Sequence, residues 1–276
     1  MTAIEFQFEP SAPDLAPYVV GFAERRDAEC FGDALELPLL NPLLQFFIRG
    51  DYRVGQGAQG PFEAVPRVAL WGTTGAAMFA RHAQSLHVFV VILTNLGLAR
   101  LTGVRPAELA DRRTAFADVW PREPHLLDQI EAAGSFSLRI KAASAWLRAL
   151  QAHPNSADAP ILSLADSIAD GESFGTVDAV AARAGLPARS LRRNFEKIVG
   201  RAPKETLRIA RLQRVIRQLH PHPWRRADRR DALLEYFDDS HCARDFAQLT
   251  TLTPRQFVLA KRRTGDPLVN TVCGLR

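Results

Sequence analysis

Short apolar runs separated by turn-forming residues dominate the first half of the chain. They span residues 4–8, 18–22, 43–48, 65–70 and 86–93, with clusters such as GQGAQGP at 55–61 between them. This pattern is typical of β-strands joined by turns. The longest run, LHVFVVIL at 86–93, is far shorter than the roughly 20 residues of a membrane-spanning helix, so we interpret it as a buried strand.

The hydrophobic period becomes helical towards the middle of the chain. The apolar positions that carry this period, interrupted at Gly134-Ser135, are Leu126, Leu127, Ile130, Leu138, Ile140, Trp146, Leu147 and Leu150. The polar stretch HPNSADAP at 153–160 has the composition of a linker. We therefore predict a multidomain α+β protein. An α+β, strand-rich domain (1–153) is followed by a linker (154–160), an all-α domain (161–264) and a tail (265–276).

Charge is distributed unevenly between the two halves. Residues 1–159 carry 14 Lys+Arg against 17 Asp+Glu, whereas residues 160–276 carry 21 against 13. Only three of those 21 cations are lysine, and the guanidinium fork of arginine suits phosphates and guanine edges. This asymmetry favours a polyanion as the partner of the second half, although a general preference for arginine across the whole proteome would give the same composition.

One segment of the second half has the pattern of a helix-turn-helix. Thr176 is a good N-cap for a helix over 177–184, Gly185 ends that helix, and Pro187 stands where a helix over 188–199 would begin. One face of the second helix carries Leu191, Phe195 and Ile198, and the opposite face carries Arg189, Arg192 and Arg193. An amphipathic helix with a cationic outer face can enter a DNA major groove. A simple helical hairpin with a solvated arginine face is the alternative.

The segment also resembles the AraC/XylS family of transcription regulators. The residues that carry the resemblance are Ala181, Gly185, Arg189, Leu191, Arg193, Phe195, Gly200, Pro203, Leu207, Arg211 and Leu212. A second stretch, 236–257, is similar to the family's second helix-turn-helix unit and its terminal signature. The resemblance implies two helix-turn-helix units joined by a long helix over about 204–219, and a sequence-specific DNA-binding regulator that activates or represses transcription.

The resemblance also implies which residues contact double-stranded DNA. From the first unit these are Arg189, Arg192 and Arg193, and from the second unit Ser240, His241 and Arg244. The family usually has small residues where this chain has Asp231 and Glu235, and an aromatic residue where it has Cys242. Charges at a close helix crossing are costly unless they are paired, so we expect the second unit to discriminate less strictly between sequences.

The N-terminal half is similar to domains that some family members carry. Its motif is Pro13-Asp14-Leu15-Ala16-Pro17-Tyr18-Val19. Such domains are cupin-like modules for sensing or dimerisation, so a small-molecule effector, a homodimer and a contact with RNA polymerase are compatible with the resemblance. The absence of a secretory signal, together with three widely spaced cysteines, favours the bacterial cytoplasm and association with the nucleoid.

Two other classes of function stay open at this point. One is an alkyl-transfer repair enzyme delivered to DNA, with Cys30 as the thiol, and the other is a protein-interaction module with weakened DNA binding. The sequence contains no hydrolase, phosphate-loop or metalloprotease motif. His220 and His222 lack a second ligand pair, and His82 and His87 lack further ligands nearby. We therefore expect no catalytic site, no metal and no cofactor.

Overall fold

The computed structural model describes residues 4–28, 33–82, 85–121, 125–150, 157–219, 239–264 and 271–272. Eleven strands occur in the described residues, nine of which begin in the first third of the chain. They are β1 (Ile4–Pro10), β2 (Val19–Asp27), β3 (Asp33–Glu36), β4 (Leu43–Arg49), β5 (Arg53–Gly55), β6 (Glu63–Ala64), β7 (Val68–Trp71), β8 (Met78–Arg81), β9 (Leu86–Leu93), β10 (Arg113–Ala115) and β11 (Thr271–Val272).

Helices make up most of the remainder. They are α1 (Asn95–Thr102), α2 (Pro106–Leu109), α3 (Phe116–Val119), α4 (Leu126–Ala132), α5 (Phe136–Ala149), α6 (Ala159–Asp170), α7 (Val177–Ala184), α8 (Ala188–Ile198), α9 (Pro203–Leu219), α10 (Asp239–Thr250) and α11 (Pro254–Thr264). A strand-rich first half followed by a helical second half confirms the predicted fold class. Within the described residues, no helix is long and apolar enough to cross a membrane.

Two antiparallel sheets pack against each other in the first half. The larger has the strand order β1-β2-β9-β4-β7-β10, and the smaller has β11-β3-β8-β5-β6. Phe47, Trp71 and Val88 of the larger sheet share a buried cluster with Val54 and Ala80 of the smaller one. The predicted strand at 86–93 is confirmed as β9, and its position between β2 and β4 explains why nearly every residue in it is apolar.

Helices cover the outer face of the larger sheet. Phe46 and Phe89 of the sheet pack in one cluster with Ile130 of α4 and Trp146 of α5. The predicted break at Gly134-Ser135 is confirmed, because the Ser135 hydroxyl accepts a hydrogen bond from the Leu138 amide (3.3 Å) and begins α5.

Helices α6 to α11 do not have a hydrophobic core of their own. Leu35, Leu37 and Leu40, from β3 and the loop after it, are buried in the same cluster as Phe195, Ile216 and the other apolar residues of those helices. Polar contacts accompany the apolar ones. The Gln213 side chain donates to the Pro38 carbonyl (3.0 Å), and the Ala77 amide donates to the Leu249 carbonyl (3.0 Å). The strand-rich half and the helical half are therefore packed as one unit.

Two regular elements include residues of the segments predicted to be the linker and the tail. Helix α6 begins at Ala159, inside the segment 154–160 that we expected to be a linker, because Pro160 is well suited to the first turn of a helix. Thr271 and Val272, inside the expected tail 265–276, pair with Glu36 and Leu35 as strand β11. A short β-branched segment of this kind satisfies the open edge of β3.

Candidate nucleic-acid interface

The first helix-turn-helix is formed by α7 and α8, with the predicted capping residues. The Thr176 hydroxyl accepts a hydrogen bond from the Ala179 amide (3.2 Å) and so begins α7. Gly185 ends it with a φ of +63°, a conformation in which glycine is not strained, and the Leu186 amide donates to the Ala181 carbonyl (3.0 Å). Pro187 is the N-cap of α8, since it has no amide hydrogen to leave unsatisfied.

Helix α8 separates apolar from charged side chains. Leu191 and Phe195 are fully buried and Ile198 nearly so. Arg189, Arg192 and Arg193, the three arginines predicted to contact DNA, are exposed on the other side of the helix. Insertion of this exposed face into a groove therefore requires no unfolding of the core.

A carboxylate that the sequence reasoning missed also lies on the exposed side of α8. The Nε of Arg192 donates a hydrogen bond to Oε1 of Glu196 (2.8 Å), four residues later. This hydrogen bond raises the pKa of the Arg192 guanidinium. No ion pair joins Arg189 or Arg193 to any other side chain within the described residues. The spacing of four residues between an arginine and a glutamate is the signal that could have found this pair.

The junction between α8 and α9 is docked on the N-terminal half. Gly200 has a φ of +86°, and a Cβ there would lie 2.7 Å from Cβ of Ala110 and 2.8 Å from Cα of Ala107. Gly200 is one of the residues that carry the family resemblance. The structure gives two reasons why a glycine is needed there, namely the positive φ and the close approach of a second segment. Pro203 is the first residue of α9, where its missing amide hydrogen has no cost.

Arg201, next to Gly200, reaches into the N-terminal half. Its side chain is 4% exposed and forms ion pairs with Asp111 (2.6 Å) and Glu205 (2.7 Å). It also donates to the carbonyl of Thr73 (3.1 Å). The sequence reasoning missed this residue, because Asp111 and Thr73 are far away along the chain.

Helix α9 joins the first unit to α10, the second predicted recognition helix. Cys242 and Phe246 are buried in α10, so Cys242 is a core residue at the position where the family usually has an aromatic one. Nε of Arg208, on α9, donates to the buried carboxylate of Asp245 (2.8 Å) and so holds α10 on the long helix. Arg244 is exposed on α10.

Several of the predicted residues fall where the structure says nothing about their side chains. Ser240 and His241 lie in α10, but their side chains are outside the described set. Asp231 and Glu235, where we predicted the first helix of the second unit, lie wholly outside the described residues. Cys30, His220 and His222 also lie outside them.

The two remaining candidate metal ligands point to different carboxylates. Nε2 of His82 lies 3.4 Å from Asp27, and Nε2 of His87 lies 3.3 Å from Glu24. Among the residues that the structure describes, no group of three or more histidine, cysteine or carboxylate side chains could hold a metal ion. Each histidine therefore lies beside a carboxylate that also pairs with arginine, Asp27 with Arg25 and Glu24 with Arg26 and Arg139.

The chain was compared with known families, sequences and structures. A helix-turn-helix domain family matches residues 180–260. The fold is similar to that of ToxT from Vibrio cholerae, with 9% identity over 92% of this chain and 98% of that chain and a TM-score of 0.48. A structure of ToxT with an unsaturated fatty acid bound has 10% identity over 86% and 95% of the two chains and a TM-score of 0.46. The AraC-like transcriptional activator CuxR has 10% identity over 76% and 85% and a TM-score of 0.25.

No curated protein sequence matches the chain. The match to the helix-turn-helix family nevertheless covers most of the segment from α7 to α11, where the caps, the buried apolar face and the exposed arginines occur together. The helical second half therefore contains a helix-turn-helix domain, a fold with which proteins bind DNA.

Proposed function

We propose that the protein binds an operator with α8 and α10 in successive major grooves, which lie about 34 Å apart on one face of the duplex. In this arrangement Arg189, Arg192 and Arg193 reach base edges from α8. Arg244 and Ser240 do so from α10, with His241 close to a phosphate. The long helix α9 sets the distance between the two recognition helices.

The observation that carries this proposal is the division of α8 into two faces. Phe195 and Leu191 are fully buried on one side, and three arginines are exposed on the other. Three exposed like charges on a surface helix repel one another, and among the described residues only one of the three arginines, Arg192, has an ion-pair partner. A polyanion placed against this face offsets the repulsion, and guanine offers two acceptors that match the guanidinium fork.

The first experiment measures the affinity of the full chain for duplex DNA over a range of salt concentrations. We expect log K to fall linearly with log salt, with a slope of about −0.9 for each phosphate neutralised. The full chain is required because the helices share their core with Leu35, Leu37 and Leu40. An affinity that does not depend on salt would refute the proposal.

A second experiment separates base contacts from backbone contacts. Arg192→Ala should weaken binding to a selected operator by about 1–3 kcal/mol and relax the preference at one or two base pairs. Lys204→Ala is the control, because Lys204 is exposed on α9, outside the recognition helix. It should at most weaken binding to all sequences alike. Equal losses on operator and random DNA for both variants would place the recognition face elsewhere.

The proposal assigns a regulatory, non-catalytic role to the N-terminal half, residues 1–153. We infer that this half senses a small-molecule effector or forms a homodimer, and that the protein acts on RNA polymerase in the bacterial cytoplasm. A coupling between the N-terminal half and DNA binding is supported by the packing of α9 on the strand-rich half. Gln213 of α9 donates to the Pro38 carbonyl, so a change of conformation near Pro38 would reach α9. Limited proteolysis of the full chain with and without operator DNA would test this coupling. Unchanged cleavage of the N-terminal half would argue against it.

A further inference from the structure

The outer face of α8 is not uniformly cationic, although phosphate attraction alone would favour that. Glu196 lies one turn after Arg192, and its side chain is 45% exposed. Within the described residues its one ion pair is with Arg192, whose side chain is itself 71% exposed. Exposed pairs of this kind contribute little to stability. A carboxylate on a groove-binding face also opposes association with DNA. Neither the stability of α8 nor a general affinity for DNA therefore explains the presence of Glu196 on this face.

We infer that Glu196 is a specificity-determining residue that accepts a hydrogen bond from the exocyclic amine of a cytosine, one or two base pairs from the guanine contacted by Arg192. This inference rests on the proposed function of α8. An ionised carboxylate only accepts hydrogen bonds. In the major groove, cytosine presents a single donor, whereas guanine presents only acceptors and thymine an acceptor and a methyl group. Adenine has a donor at N6, but its neighbouring acceptor N7 repels a carboxylate. Glu196 therefore favours cytosine over the other three bases.

The spacing of the two side chains limits where that cytosine lies. Four residues of an α-helix advance about 6 Å along its axis. Successive base pairs of a duplex are about 3.4 Å apart. Arg192 and Glu196, on the same side of α8, therefore reach base pairs that are one or two steps apart. We expect the operator to carry a guanine and a cytosine at that separation, in the half-site bound by α8.

The ion pair of the free protein also affects binding to the wrong sequences. It holds Arg192 and Glu196 next to each other but is weak enough to be exchanged for contacts with bases. On random DNA the carboxylate faces acceptor edges and phosphates without a donor, so binding there is penalised. Glu196 thus increases specificity chiefly by weakening the binding of competing sequences.

The test is an in vitro selection from a pool of duplexes with a randomised central segment, using the full chain at fixed salt. The variants are Glu196→Gln and Glu196→Ala. The matched control is Glu205→Gln, which removes the same charge from another arginine–glutamate pair at a spacing of four residues. Glu205 lies in α9, and its partner Arg201 (2.7 Å) lies just before that helix. Wild type and control should select the same guanine and cytosine positions.

Glu196→Gln should change the selected cytosine to adenine, because a glutamine amide pairs with N6 and N7 of adenine. Glu196→Ala should lose the preference at that position. Both should bind random duplex more tightly and lower the ratio of operator to random affinity about tenfold. Selection of the same cytosine by both variants, or an unchanged affinity ratio, would overturn the inference and leave the proposed function standing. If wild type selects no sequence at all, the proposed function fails and the inference fails with it.

Discussion

Gly200→Ala tests whether the first helix-turn-helix is packed on the N-terminal half as the structure describes. The change has two costs. The first is conformational, because the φ of +86° is unfavourable for alanine by about 1–2 kcal/mol. The second is steric, because the new Cβ would lie 2.8 Å from Cα of Ala107 and 2.7 Å from Cβ of Ala110. Overpacking of this kind costs about 1–3 kcal/mol. We expect a loss of about 2–5 kcal/mol in the free energy of unfolding.

Gly185→Ala is the matched control for that experiment. Gly185 also has a positive φ, +63°, but a Cβ there would meet no atom within 4 Å. It should therefore show only the conformational cost of about 1–2 kcal/mol. The assay is urea unfolding of the full chain, with the midpoint and slope fitted for both variants. Equal losses in the two variants would refute the close approach between the α8–α9 junction and the segment at Ala107.

Two further predictions concern the cap of α7 and a buried carboxylate. Thr176→Ala should lower the free energy of unfolding by about 1 kcal/mol, because it removes the acceptor for the Ala179 amide. Thr176→Ser keeps a hydroxyl acceptor and should not lower it. Similar urea midpoints for the two variants would contradict the capping role. Burial raises the pKa of Asp166 to about 6 from its ordinary 3.8, so folding takes up a proton between these values and stability falls as the pH rises through them. Relative to Asp166→Asn, the wild type should lose about 3 kcal/mol of unfolding free energy over that range, and parallel pH profiles would contradict this.

Local signals in the sequence were sufficient to predict the helices of the first helix-turn-helix. Thr176, Gly185 and Pro187 each act on the backbone within a few residues, so the predicted helix over 177–184 is confirmed to the residue. The predicted end of α8 differs by one residue, because Val199 is its C-cap. The apolar face of Leu191 and Phe195 was equally visible, since it depends only on the helical period.

Contacts between distant segments could not be predicted in this way. The carboxylate of Asp166 accepts hydrogen bonds from the amides of Asn95 (2.6 Å) and Leu96 (3.0 Å) at the start of α1, some 70 residues earlier. Nothing within α6 indicates that partner. Strands of three or four residues, such as β3 and β5, were also missed, because so few residues show little alternation.

The shared cluster around Leu35, Leu37 and Leu40 makes the two halves of the chain one thermodynamic system. A ligand that binds only the native state stabilises everything that unfolds together with its site. Operator DNA would contact only the helical half, yet it should slow hydrogen exchange in β3, whose backbone lies on the far side of that cluster. The same linkage acts in the opposite direction. Any compound that tightens the strand-rich half must change the affinity for DNA whenever it changes the packing of these three leucines.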